Sequence, residues 1–146
     1  MQIYNDWYIG SIHVNTSSRI EGLTKQVKAG MLISADLMHE IPESERDFNF
    51  RYMGMVNPTL SRESIGIFEI LDALPEDTRK WRLETRDIFE SAVRNFLIEN
   101  YQNALDRFKE VINMDSSDTS AKLFYEDAKA HIEGRDKRNV FSFNEK

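Results

Sequence analysis

An α+β fold class with a helical second half is predicted by three observations on this sequence. Before position 74, aromatic and β-branched residues gather in short runs, one of which, Phe48-Asn49-Phe50-Arg51-Tyr52, alternates apolar and polar with period two. After Pro75 the apolar residues recur every three or four positions, the spacing of helices that bury one face. Gly30, Pro42, Pro58 and Gly134 fall between the runs, where chain breaks belong. The boundaries that follow are an α+β part over 1–74, a helical part over 75–134 and a flexible tail over 135–146.

Taken in order, residues 2–13 carry Ile3, Tyr4, Trp7, Tyr8, Ile9 and Ile12 and predict a strand interrupted near Gly10. A helix is expected over 14–28, ended by Ala29-Gly30 with glycine as the left-handed cap. Met31-Leu32-Ile33-Ser34 reads as a short buried strand. Asp36 to Ile41 reads as a short helix stopped by Pro42, and Glu43 to Asp47 as a charged loop. Phe48 to Val56 predicts a strand with an irregularity at Gly54, and Ile65 to Leu71 a second strand. The short connection opened by Asn57-Pro58 favours antiparallel pairing of these two.

Pro75-Glu76-Asp77 reads as a helix start, with proline in the first turn and acids at the positive end of the dipole. Trp81, Ile88, Phe89, Ala92, Phe96 and Leu97 predict its apolar face. A second helix carries Ala104, Leu105, Phe108, Val111 and Ile112, and a third Ala121, Phe124, Ala128 and Ile132. Asp118 is the expected N-cap of the third helix and Gly134 its stop. No Gly- or Ser-rich spacer separates the two parts, so a fixed relation is expected, with Trp81 sealing the junction. Val140, Phe141 and Phe143 are the tail residues able to dock.

Composition narrows the function classes. A chain of 146 residues with 40% hydrophobic residues can build a core. A net charge of −6 argues against a general nucleic-acid binder, while leaving room for a local phosphate pocket. Without cysteine there is no disulfide, thiolate zinc site or cysteine nucleophile, which fits a cytoplasmic location. No apolar run reaches the ~18–20 residues of a membrane span, and the first residues lack the pattern of a signal peptide. His13, His39 and His131 show no ligand spacing, so no metal site is expected on them.

Within 14–28, Asn15 and Arg19 are four apart and share one helix face, while Ile20, Leu23 and Val27 form a separate apolar stripe. An amide beside a permanently charged guanidinium is suited to an oxyanion. By spacing alone, an ordinary amphipathic helix accounts for the same residues.

Asp6-Trp7-Tyr8-Ile9-Gly10-Ser11-Ile12-His13-Val14-Asn15 followed by Arg19-Ile20-Glu21 resembles the C-terminal half of the class III adenylate/guanylate cyclase catalytic domain. In that family a strand reading like D-Y-T-V-I-G-D-A-V-N leads into a helix reading N-x-x-x-R-I/L-E. Further on, Phe48 to Gly54 matches a strand reading F-x-x-R-x-L-G, and Ile67-Phe68-Glu69-Ile70-Leu71 matches I-Y-E-V/I-L. The resemblance covers about 6–73 and implies a partial cyclase-type sheet, of ferredoxin-like derivation, with helices. Several bacterial cyclases are similar further, through a helical extension after the last strand. The resemblance implies that Asn15 and Arg19 are catalytic, steadying the ribose and the charge that develops on the α-phosphate. One well-placed arginine is worth roughly 10³–10⁵ in phosphoryl-transfer rate.

The sequence also departs from that family. Tyr8 stands at the position of the purine reader, where Asp or Thr is common. No lysine occupies Thr59 to Ser61, where the family's hairpin lysine meets phosphate, and Arg62 is the nearby cation. Ile12 stands at the family's second Asp before the helix. The resemblance places the two metal-binding aspartates before Met1. A complete cyclase is therefore expected to use Mg or Mn, whereas this chain has no cofactor of its own and is expected to be inactive alone. The rest of a longer cyclase chain, or a second copy, is the expected partner that covers the sheet edge.

Residues 85–118 resemble one tetratricopeptide repeat, through Ala92, Phe96, Tyr101, Ala104, Leu105, Phe108, Val111 and Asp115. Departures are Glu99 for Gly, Ser116 for Pro and Asn95 for an aromatic residue. A three-helix tetratricopeptide-like segment is thus expected over 75–134. It reads either as a plain helical extension or as a site for a protein partner. The alternative function is accordingly a protein–protein interaction module on a cyclase-derived scaffold.

Overall fold

The computed structural model describes residues 31–56 and 64–134. The strand expected over 2–13, the helix over 14–28, its Gly30 cap, the Asn57-Pro58 turn and the tail over 135–146 lie outside the described residues. The fold is α+β, and the described residues divide into two compact units, one ending at Ala73 and one beginning at Leu74. The expected fixed relation and the seal by Trp81 concern contacts between the units and stay expectations.

In the first unit a three-stranded antiparallel sheet has the order β1-β3-β2, with β1 Leu32–Ser34, β2 Phe50–Val56 and β3 Ile65–Ile70. Ser34 ends β1 because its hydroxyl accepts a hydrogen bond from Leu37 N at 3.1 Å, capping helix α1, Ala35–Glu40. Ile41, extended at φ −81° and ψ 122°, ends α1 because the residue before Pro42 is pushed out of the helical region. The stretch expected as a loop contains one 3₁₀ turn, Glu43–Glu45, and Arg46 Nε donates to Ile41 O at 2.8 Å. Gly66 on β3 lets α1 approach closely, since a Cβ there would lie 3.1 Å from Ala35 Cβ.

The period-two pattern becomes β2, beginning at Phe50 rather than Phe48. Asn49 donates through its backbone N and its amide to the two carboxylate oxygens of Asp72, at 3.0 and 2.9 Å. That clamp holds the entrance of β2 against the 3₁₀ turn Leu71–Ala73 that ends β3. Phe50 pairs with Ile70, Arg51 with Glu69 and Tyr52 with Phe68, after which Gly54 pairs with Ile67. Met53 is the extra residue of a bulge, and Gly54 follows at φ 105°, a conformation that favours glycine. The register puts Leu32, Arg51, Ile67 and Glu69 on one face, all buried. Phe50, Tyr52 and Phe68 share the other face, with ring centroids of both partners 5.5 Å from Phe68.

The second unit is α2 Glu76–Leu97, α3 Tyr101–Met114 and α4 Thr119–Glu133. Pro75 precedes the first turn at φ −56° and ψ 152°, and its carbonyl accepts from Arg79 N at 2.8 Å. Phe89 meets Phe108 and Phe96 meets Tyr101, so α2 and α3 run antiparallel. Phe108 meets Phe124 and Tyr101 meets His131, so α3 and α4 do too. Ala92 and Ala104 are fully buried, which brings α2 and α3 together, and Phe89, Phe108 and Phe124 fill the space. Asp118 caps α4 by accepting from Ala121 N at 3.2 Å, and Gly134 closes it at φ 71°.

The apolar faces need three corrections. Trp81 is 45% exposed, because the buried stripe of α2 runs through Arg82, Thr85, Phe89, Ala92 and Phe96, one residue out of phase with it. Leu97 is exposed at the end of α2, where Phe96 faces the core instead. Ile132 is exposed although it lies four residues after Ala128. There His131 takes the inner position, stacked on Tyr101 at the start of α3, with centroids 4.3 Å apart and planes 3° apart.

The departures from the repeat pattern have structural replacements. Asn95 accepts at its side-chain oxygen from Asn100 Nδ2 at 3.2 Å, and its carbonyl accepts from Asn100 N at 2.8 Å. Glu99 adopts φ 65°, the left-handed region that glycine usually fills. Glu99→Gly is therefore expected to raise the stability of the helical unit by up to about 1 kcal/mol, read as a higher denaturant midpoint. An unchanged or lower midpoint would contradict this account of the turn.

Candidate functional site

The residues singled out for chemistry, Tyr8, Asn15, Arg19 and Arg62, all lie outside the described residues. Among the described residues, the structure brings together two other residues of the segments that carry the resemblance. Arg51 comes from the F-x-x-R-x-L-G segment and Glu69 from the I-Y-E-V/I-L segment. They sit directly across from each other on β2 and β3. Arg51 Nε donates to Glu69 Oε1 at 3.0 Å, and the two side chains are 1% and 3% exposed. Two opposite charges this deeply buried must be paired, so the pair locks the strand register. A slip of one strand by one residue would put the two charges on opposite faces of the sheet.

Register matters for the hairpin beyond it. Val56 pairs with Ile65, so the connection 57–64, which contains Arg62, begins and ends at a fixed rung. The bulge at Met53 and Gly54 lies between the ion pair and that rung and adds local twist.

The described acids do not fit a divalent cation. Among the described residues no three His, Asp or Glu side chains converge as ligands. Both carboxylate oxygens of Asp72 are engaged by Asn49. Asp115 is engaged by Arg82 and by Ser117. Asp36 and Asp47 are exposed and stand apart in the sequence.

A second buried charge cluster was not foreseen. Arg82 on α2 reaches the turn between α3 and α4. Its Nη1 donates to Asp115 Oδ2 and, at 3.2 Å, to Ser117 Oγ. Its Nη2 donates to Ser117 O at 3.2 Å. Arg82 Nε lies 3.8 Å from Asp118 Oδ1 and has no hydrogen-bond partner among the described residues. The sequence signal was available, since Arg82 falls on the helical stripe with Thr85 and Phe89. A charged residue in phase with an apolar face needs a buried partner.

At the opposite end of that bundle, burial raises the Tyr101 hydroxyl above its ordinary value of 10.0, and the Glu99 and Asp127 carboxylates add to the shift. The fold thus favours the neutral phenol. Its contribution is present below pH 10 and is lost as pH rises through the raised value. Tyr101→Phe is expected to flatten the decline of helical-unit stability above pH 10. Parallel alkaline titrations of the two proteins, followed by circular dichroism, check this.

The chain is similar to an adenylate cyclase. Over 96 residues it is 27% identical to the terminal-differentiation-specific adenylate cyclase of Dictyostelium discoideum. The match takes in 66% of this chain and 4% of that cyclase, so the chain spans a small part of the relative's length. No family model matches, and no solved structure matches. Among the described residues no helix is long and apolar enough to cross a membrane.

Proposed function

We propose that this chain is part of a class III nucleotidyl cyclase, or a diverged relative of one, that carries the Asn/Arg half of the active site. The observation that supports the reading most is the buried Arg51–Glu69 pair. It joins the two downstream segments of the resemblance in register, as a hairpin that would face substrate phosphates. The similarity to the Dictyostelium adenylate cyclase points the same way.

In this reading the 3′-hydroxyl of a purine nucleoside triphosphate attacks its own α-phosphorus and pyrophosphate leaves. Asn15 would hold the ribose through its amide, and Arg19 would donate to the α-phosphate oxygens as their charge grows. Tyr8 would pack against the base rather than pair with it, and Arg62 would stand in for the hairpin lysine. Metal ions, in a complete cyclase, activate the attacking hydroxyl and neutralise the triphosphate. Their aspartates belong to the half of the domain that the resemblance places before position 1. Residues 1–146 by themselves are therefore proposed to form no cyclic nucleotide.

Two assays test this. The chain alone, given manganese and ATP or GTP, is expected to yield no cyclic product. Supplied with the first half of the catalytic domain of the Dictyostelium cyclase, it is expected to restore turnover, and Arg19→Ala should reduce that turnover roughly 10³-fold. Product from the chain alone would refute its inactivity. Restored turnover indifferent to Arg19→Ala would refute the role given to that residue.

A further inference from the structure

We propose that Ser117 is a phosphorylation site whose modification opens the contact between α2 and the turn joining α3 to α4. The inference stands apart from the cyclase reading and rests on the helical unit alone. Ser117 is exposed, yet its hydroxyl lies between two buried charges. Its Oγ donates to Asp115 Oδ1 at 2.7 Å and accepts from Arg82 Nη1 at 3.2 Å. Arg82 is 7% exposed and Asp115 4%. The same guanidinium presents Nη2 to the Ser117 carbonyl at 3.2 Å. Two N–H groups of one fork are thus already turned toward Ser117. The Ser117 hydroxyl is part of the contact between α2 and this turn, so a group added to it acts on that contact.

The turn has the character of a modification site. Ser116 and Ser117 are exposed, and Asp115 and Asp118 flank them in sequence. Both aspartates are buried in the closed turn, so a serine/threonine kinase with a basic substrate cleft meets this acidic local context once the turn opens. In the transfer, the Ser117 oxygen attacks the γ-phosphorus of a nucleoside triphosphate. The bond to the β,γ-bridging oxygen breaks, the nucleoside diphosphate leaves with the electron pair, and the hydroxyl proton passes to the kinase's base or to water. The product carries close to two negative charges, a short distance from the carboxylate the hydroxyl had bonded.

Arg82 Nη1 now serves both the Asp115 carboxylate and the Ser117 hydroxyl. A phosphate on Ser117 competes for Nη1 with Asp115, and a buried aspartate that loses its cation is driven toward water. Asp118, whose carboxylate caps α4, adds like-charge repulsion on the other side. Modification therefore converts a contact that fastens α2 to the α3–α4 turn into one that pushes them apart. Ser116, one residue away, serves as the control.

The test uses the full chain in two arms. In the first, a purified serine/threonine kinase that prefers acidic surroundings is supplied with magnesium and ATP, and the site is mapped by mass spectrometry. Phosphate on Ser117, lost in Ser117→Ala and kept in Ser116→Ala, is expected. No incorporation, or incorporation that survives Ser117→Ala unchanged, overturns the proposal. In the second arm, phosphoserine is encoded at 117, or at 116 as control, and amide hydrogen exchange is followed. Exchange across 82–89 and 115–121 is expected to quicken about tenfold or more for phosphoserine at 117 only. Equal effects at both positions, or none at 117, overturn the opening of the contact. Arg82→Gln should reproduce the fast exchange without phosphate, which separates loss of the contact from a general effect of added charge.

Discussion

Glu69→Ala is expected to destabilise the α+β unit by up to about 3–5 kcal/mol, the range for removing one member of a buried ion pair. Arg51 is 1% exposed, so its guanidinium cannot turn to water without opening the sheet. The loss should be seen as faster hydrogen exchange of the β3 amides and as an earlier unfolding transition. The double substitution Arg51→Met with Glu69→Leu removes both charges and keeps much of the volume. It is expected to recover most of the stability, because a well-packed apolar pair often equals or exceeds a buried ion pair. If the double variant is as unstable as the single one, the pair is not what holds β2 and β3 together.

The other large effect belongs to the helical unit. Phe89 is fully buried, with ring centroids 5.6 Å from Phe108 and 6.1 Å from Phe124, so one side chain ties all three helices together. Phe89→Ala should cost about 3–5 kcal/mol through lost burial and the cavity left behind. Phe89→Leu should recover a substantial part of that. The readout is the denaturant midpoint of helical circular dichroism. A change of less than about 1 kcal/mol for the alanine variant would mean that α2 is held by something other than this aromatic centre. Trp81→Ala offers the contrast, because Trp81 is 45% exposed and one residue out of phase with the stripe.

The comparison of Trp81 with Arg82 shows where sequence reading goes astray. Side-chain chemistry favours tryptophan for the core and arginine for the surface, and the structure reverses them. A helix advances 100° per residue, and the phase set by Thr85, Phe89, Ala92 and Phe96 selects position 82 over position 81. Asp115 and Ser117 make the choice tolerable by supplying partners from another turn. Similarly, Ile132 had the right spacing after Ala128 but lost the inner place to His131, which Tyr101 receives by stacking. Partners thirty or more residues away are not written into local periodicity.

The candidate site divides in the same manner. The β2–β3 hairpin, its irregular rung at Gly54 and the caps at Asp118 and Gly134 were legible, because each depends on a few adjacent residues. The helix expected to bear Asn15 and Arg19 lies outside the described residues, and its role is a proposal to be tested by turnover.

By itself the sequence determined the elements found among the described residues. Period-two runs became strands, three-and-four spacing became helices, and proline, glycine and aspartate set the ends, all through local sterics and hydrogen bonding. Only the tertiary structure decided the pairings. It placed Arg51 against Glu69 across two strands, and Arg82 against Asp115 across a bundle. Buried charge demands a partner, and the partner's identity depends on which distant segments pack together.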